Sequence, residues 1–320
     1  MRAFSFCEVD MKHIVSFSGG AGSFATAKQV AKKVGLTDLV MVFCDTLIED
    51  SDLYRFNYDV ASHIYEIESS ELKVLCYSVP EVYEEGRKEH LYKLAKCWNS
   101  VFGDKFPYLQ NGMDIWDSFK KNSWVGNSRV AHCTTDLKGK EFMKWLKVSY
   151  QSDECVLHFG FDWAEAHRLE TAKKNWSPYT CEAILCQTPF LSRQQIMQII
   201  DDCEIDLPRL YDLGFSHNNC GGFCVKAGLK HFKLLFEKMP QVYAYHQAKY
   251  DALAAELPTA KPFLKKTVNK QQSYLTLGEY ADMLKTNQQF DIFDDSNQCG
   301  CFSMYDPSQD VEFVNVKGLL

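Results

Sequence analysis

The chain has 320 residues, of which 46% are hydrophobic and 24% are charged, and this balance excludes a disordered or low-complexity protein. Its net charge of −7 argues against a protein that coats nucleic acid, because such proteins are usually basic. No apolar run approaches the ~18–20 residues of a membrane-spanning helix, and the N-terminal sequence MRAFSFCEVD lacks the apolar core of a secretion signal. We therefore expect a cytoplasmic protein with no membrane partner.

Strand-like and helix-like segments alternate along the first half of the chain. The predicted strands, all short apolar runs, cover residues 13–17, 39–44, 74–79 and 156–161. A helix over 23–34 is expected to end at Gly35, and a loop is expected near 103–112. Strands separated by helices require crossover connections, so we predict an α/β fold with a Rossmann-like, doubly wound and mostly parallel sheet.

The second half of the chain is predicted to be mostly helical. Thr276 and Glu279 have the spacing of a capping box, which predicts a helix that continues to Leu284. We predict an α/β domain over residues 1–180 and a helical, cysteine-rich region over residues 181–320 that packs on it.

A glycine-rich loop follows the first predicted strand and begins the first predicted helix. Glycine leaves backbone N–H groups open to close approach, and a helix N-terminus favours an anion. The loop therefore predicts a phosphate or pyrophosphate site, although it matches neither the Walker nor the G-x-G-x-x-G pattern. A simple strand-to-helix turn of small residues is the alternative. The candidate binding residues are Ser16, Ser18, Gly19, Gly20, Gly22 and Ser23.

An acidic residue also follows the second predicted strand. Asp45 and Thr46 lie at its carboxyl end, where open α/β sheets bind ligands, so they are candidates to contact a ribose or a metal ion. The next acids, Glu49, Asp50 and Asp52, are expected to form the solvated start of a helix, where acids are favoured by the helix dipole.

These motifs, in this order, resemble those of the PP-loop family of N-type ATP pyrophosphatases, and more closely its phosphoadenosine-phosphosulfate (PAPS) reductase-like branch. Residues 15–23 resemble the PP-loop, and residues 43–46 resemble the family's strand ending in Asp-Thr. Three later segments also resemble family motifs. Residues 126–138 resemble a segment with an arginine followed by Cys-x-x-x-Leu-Lys. Residues 160–168 resemble a segment that runs from a glycine to an arginine, and residues 219–226 resemble one that begins with Asn-Cys and ends with a lysine. One departure is Gly22, where many PP-loop enzymes carry Asp.

The resemblance implies a PP-loop type fold that binds ATP, or a related adenine nucleotide such as PAPS, together with Mg²⁺. The glycine-rich loop would hold the phosphates, and Arg129, Lys138 and Arg168 would offset charge in the transition state. The implied enzyme cleaves ATP at the α-phosphate and adenylates an acceptor, either a nucleic acid or a small molecule, for attack by a nucleophile such as a sulfur donor. Two alternatives stay open: a PAPS or adenylyl-sulfate reductase, and a non-catalytic nucleotide-sensing or partner-binding protein. A homodimer also stays open.

Thirteen cysteines without a secretion signal indicate a reducing compartment, with some thiols structural and others bound to a metal or cluster. Two close pairs, Cys220 with Cys224 and Cys299 with Cys301, have spacings that bring thiolates to one cation, and Cys133 is a fifth candidate ligand. Zinc and a [4Fe–4S] cluster are equally compatible with the resemblance. The alternative is a set of buried thiols beside a glycine turn.

Overall fold

The computed structural model describes residues 11–127, 130–268 and 271–286. The predictions for Arg129, Cys299 and Cys301 therefore lie outside the described residues. The strands are β1 (Lys12–Ser16), β2 (Leu39–Cys44), β3 (Tyr108–Leu109), β4 (Cys155–His158), β5 (Thr180–Glu182), β6 (Leu264–Val268) and β7 (Gln271–Leu275). The α-helices are α1 (Ala21–Val34), α2 (Ser51–Tyr65), α3 (Ser70–Tyr77), α4 (Arg87–Val101), α5 (Ile115–Lys121), α6 (Lys140–Ser149), α7 (His167–Asn175), α8 (Arg193–Asp201), α9 (Arg209–Asp212), α10 (Leu229–Lys238), α11 (Pro240–Glu256) and α12 (Leu277–Lys285).

Five parallel strands form the central sheet, in the order β3-β2-β1-β4-β5. Helices flank this sheet, which confirms the predicted α/β class with a parallel sheet. The chain moves outward from β1 to β3 on one side, and then resumes at β4 on the other side of β1. The strand order therefore reverses between β1 and β4, and this is the position at which parallel sheets form ligand-binding crevices.

The strands and helix nearest this reversal lie where the sequence predicted them. Every residue of β2 is buried, as expected for a continuous apolar run in a parallel sheet. Helix α1 follows the glycine-rich loop and ends at Gly35, whose φ of 85° is readily adopted by glycine. The alternation of apolar runs with helix formers was therefore sufficient to place the centre of the sheet.

The predicted strand over residues 74–79 is wrong, because that segment belongs largely to helix α3. Ser69 caps this helix by accepting a hydrogen bond from the Leu72 N–H. Leu72 and Cys76, four residues apart, are buried, whereas Val74 is 65% exposed. The third strand of the sheet is instead β3, only two residues long, within the segment predicted as a loop.

Helices α8–α12 and the antiparallel hairpin of β6 and β7 make up most of the second half. Thr276 caps α12 and forms the predicted capping box with Glu279. Ile196 and Ile200 of α8 pack in the same apolar cluster as Val15 and Phe24, so this part of the second half is built onto the sheet. Within the described ranges, no helix combines the length and apolar character needed to cross a bilayer.

Two histidines lie side by side in the central sheet. His13 Nδ1 on β1 lies 2.9 Å from His158 Nε2 on β4, so one ring donates a hydrogen bond to the other. His158 is fully buried, and its pKa is lowered to about 3, chiefly by burial and further by His13 and Lys33. The folded protein therefore holds His158 neutral at pH values where an unfolded chain would protonate it.

We expect the His158→Gln variant to resist acid better than the wild-type protein. Between pH 6.5 and about 3, His158 is protonated in the unfolded state and neutral in the folded state. The free energy of unfolding of the wild-type protein therefore falls as the pH is lowered. One such group contributes at most about 1.4 kcal/mol per pH unit. His246 in α11 is a second buried histidine with a pKa near 3. The variant should therefore lose only part of the dependence of the unfolding free energy on pH. Urea unfolding at several pH values measures the unfolding free energy of both proteins. An equal dependence on pH in the variant and the wild-type protein would contradict the prediction.

Candidate functional site

A cavity of about 220 Å³ opens at the carboxyl ends of β1 and β4, where the strand order reverses. The glycine-rich loop after β1 forms one wall, and residues 159–162 after β4 form the next. Side chains of α7, α8 and α9 and residues 216–219 complete the lining. Of the predicted binding residues, those lining the cavity are Ser16, Ser18, Gly20, Gly22 and Ser23.

Close packing explains two glycines of the loop. A Cβ atom at Gly19 would lie 2.8 Å from Leu53 Cδ1, and its φ of +73° is unfavourable for other residues. A Cβ atom at Gly22 would lie 2.9 Å from the carbonyl oxygen of Gly160, in the loop after β4. The absence of Asp at position 22 therefore has a packing reason, since α1 and the β4 loop touch through their backbones there.

Backbone donors of α1 face the cavity. Gly22 and Ser23 belong to the first helical turn, where N–H groups have no intrahelical acceptor and the helix dipole is positive. Ser23 Oγ donates to the Gly20 carbonyl at 2.8 Å, so this hydroxyl braces the loop. Tyr211 Oη accepts a hydrogen bond from the Ala21 N–H at 3.1 Å. The arrangement is a fixed, electropositive turn suited to an anion.

Two arginines and an apolar wall extend the cavity beyond the loop. Arg168 forms an ion pair with Glu165, and its guanidinium lies 4.3 Å from the ring centre of Phe161. Arg193 donates to the Ser216 carbonyl at 2.7 Å. Ile196 and Met197 line the same cavity. A ligand with both an anionic part and a flat apolar part would match these surroundings.

Asp45 lies apart from this cavity and is fully enclosed. Its carboxylate accepts hydrogen bonds from the hydroxyls of Tyr54 and Tyr108 and from the Leu47 N–H. Burial raises the pKa of Asp45, against the effect of these donors. Thr46, the adjacent candidate, donates to Glu49 Oε1 at 2.9 Å. In this structure the pair stabilises the turn after β2 and does not line the wall of the first cavity.

Three candidate metal ligands line a second, much smaller cavity of about 10 Å³. Cys133, Cys220 and Cys224 lie there together with Thr46 and Lys138. This volume is at the lower limit of what can hold one water molecule. Among the residues that the structure describes, no group of three or more His, Cys, Asp or Glu side chains has a metal-binding arrangement.

The backbone at Cys220 is unusual. Cys220, Gly221 and Gly222 have consecutive positive φ values of 56°, 57° and 78°. Glycine adopts this region easily, but cysteine does so at a cost in conformational energy. The Cys220 N–H donates to the buried carboxylate of Glu49, which stabilises the turn. An unfavourable backbone conformation thus occurs at one of the candidate metal ligands.

Glu49 and Asp50 are buried, which contradicts the expected solvated helix start. Glu49 Oε1 lies 3.3 Å from Lys138 Nζ, and both side chains are almost inaccessible. Asp50 caps α2 and forms an ion pair with Arg209 at 2.8 Å. The cationic partners come from distant segments, so the local sequence could not show that these acids would be buried.

Sequence reasoning also missed Arg193, Tyr211 and Asn218, which line the first cavity. They follow Gly22 by well over a hundred residues and belong to no recognised motif, so only the fold brings them to the loop. A scan against models of protein families finds no match, and a search of curated proteins also finds none. Membership of the PP-loop family therefore stays a proposal.

Proposed function

We propose that the chain is a PP-loop enzyme that binds ATP in the first cavity, cleaves it at the α-phosphate and adenylates an acceptor. The observation that carries this proposal is the position of the α1 N-terminus, which faces a cavity at the reversal of strand order. Backbone amides of the first turn would bind phosphate oxygens, and Arg168 with Arg193 would balance the charge that develops on them. The apolar wall of Phe161, Ile196 and Met197 offers the base a surface.

The predicted magnesium contact at Asp45 does not fit this geometry, because both carboxylate oxygens accept hydrogen bonds from tyrosine hydroxyls. We derive no step through a metal ion there. The second cavity brings three candidate thiols together, since Cys133, Cys220 and Cys224 all line it. Among the described residues they do not form a metal-binding arrangement, so we derive no step through zinc or an iron–sulfur cluster.

The reaction is tested with ATP labelled at the α-phosphate, with Mg²⁺, in the presence and absence of a desalted cell extract as a source of acceptor. We expect AMP and pyrophosphate, or a labelled acceptor. Formation of ADP and phosphate would contradict cleavage at the α-phosphate. Release of sulfite from PAPS with thioredoxin would favour the reductase alternative, and nucleotide binding without any product would favour a sensing protein.

We expect Arg168→Met to weaken ATP binding about tenfold, because a charge-assisted hydrogen bond to phosphate contributes roughly this much. Lys173→Met is a matched control, since Lys173 lies on the same helix and pairs with Glu170 at the same i,i+3 spacing as Arg168 with Glu165. Lys173 is absent from the cavity lining. Calorimetric titration with ATP measures both variants. Equal affinities in the two would contradict the placement of the phosphates.

A further inference from the structure

Asn218 is a buried amide whose two ends have different surroundings. It is 1% exposed, lines the first cavity, and donates from Nδ2 to the Gly19 carbonyl at 2.8 Å. The Gly19 carbonyl oxygen can only accept a hydrogen bond, so this contact fixes the orientation of the Asn218 side-chain amide, with its NH₂ group towards Gly19. The opposite atom, Oδ1, has no hydrogen-bond partner within the described part of the chain.

A buried acceptor without a donor is costly, at about 1–3 kcal/mol, and native proteins rarely tolerate one without a reason. Ser16 Oγ is a second buried polar atom that lines the cavity and has no partner among the described residues. Both residues lie beside the glycine-rich loop, since Ser16 ends β1 and the Nδ2 group of Asn218 donates to the Gly19 carbonyl. Two residues that line the cavity, next to the proposed phosphate site, therefore each carry a buried oxygen without a hydrogen-bond partner among the described residues.

The ribose is the part of a nucleotide that best matches this position. Its hydroxyls are donors, and it is joined directly to the phosphates, whereas the amino group of adenine lies farther along the molecule. Asp45, the residue predicted to contact ribose, has its carboxylate enclosed by Tyr54 and Tyr108. We propose that Asn218 Oδ1 accepts a hydrogen bond from a ribose hydroxyl of the bound nucleotide, an inference that rests on the proposed function.

The same amide then connects sugar recognition to the phosphate loop, because its Nδ2 group holds the Gly19 carbonyl. Loss of the ribose hydroxyl would leave Oδ1 buried without a donor, so the site would discriminate against deoxyribonucleotides. Sites that hydrogen-bond a substrate hydroxyl reject analogues that lack it for this reason.

The test is calorimetric titration of the full chain with ATP, 2′-deoxy-ATP and 3′-deoxy-ATP. We expect ATP to bind about tenfold more tightly than at least one deoxy analogue. In Asn218→Ala this preference should fall to within about twofold, whereas a purely structural defect would weaken all three nucleotides equally. Asn218→Leu has a similar shape and no polar atoms, so it should also lose the preference, which provides a second variant if the alanine variant does not fold.

Equal binding of all three nucleotides to the wild-type protein would overturn the ribose contact and leave the proposed function standing. A preference that persists in folded Asn218→Ala or folded Asn218→Leu would also overturn it. Failure of the wild-type protein to bind ATP at all would instead refute the proposed function.

Discussion

A glutamine in place of Glu49 is expected to lower the free energy of unfolding by about 3–5 kcal/mol, the usual cost of leaving one member of a buried ion pair without its partner. Lys138 is the cation concerned, at 3.3 Å, with only a few per cent of its side chain exposed. Hydrogen bonding adds to the cost. Oε1 accepts from Thr46 and Lys138, and Oε2 accepts from the Cys220 N–H, so an amide NH₂ group would face a donor in either orientation.

Glu256→Gln is the control for this variant, since Glu256 forms an ion pair with Lys120 at 2.7 Å but both side chains are more than half exposed. Exposed pairs contribute little, so the control should unfold like the wild-type protein. Urea unfolding monitored by circular dichroism compares the three proteins. Equal stability of the Glu49 and Glu256 variants would contradict the expected contribution of the buried carboxylate of Glu49.

Gly22→Ala is expected to cost about 1–3 kcal/mol of stability and to abolish measurable nucleotide binding. The added methyl group would lie 2.9 Å from the Gly160 carbonyl oxygen, which is backbone and cannot rotate away. The loops after β1 and β4 would have to separate, and these two loops form adjoining walls of the first cavity. Thermal unfolding and calorimetric titration with ATP measure the two effects on the same preparation.

Gly278→Ala is a closely matched control. Gly278 occupies the second position of α12, as Gly22 does in α1, but its nearest neighbour is the end of the flexible Gln247 side chain at 3.3 Å. Alanine favours helix over glycine, so this variant should be as stable as the wild-type protein or slightly more stable. Unchanged ATP affinity in folded Gly22→Ala would show that the contact with Gly160 is not needed for the cavity.

Local pattern was enough to predict the centre of the fold and failed at its edge. Strand β2 and helix α1 follow from an unbroken apolar run and from a glycine at each end of the helix. The segment 74–79 was misassigned because a short apolar run fits a strand and a helix equally well. Strand β3 has only two residues, so its position depends on pairing with β2 and leaves no sequence pattern.

The candidate site was predictable only where its residues are close together in the chain. The glycine-rich loop and Arg168 were found from motifs, and both line the first cavity. Asn218 and Tyr211 come from segments that tertiary packing brings to the loop. The burial of Glu49 likewise depends on Lys138, a residue in a segment far along the chain. Long-range partners of this kind cannot be read from one sequence without an observed fold.

The walls of the first cavity extend from Ser16 to Asn219, although the last strand of the central sheet ends at Glu182. During synthesis, the ribosome must therefore add a further stretch of chain after the sheet before the first cavity is complete. A ligand stabilises only the state that binds it. On the proposed function, cellular ATP would protect finished molecules from proteolysis and leave prematurely terminated ones exposed to it.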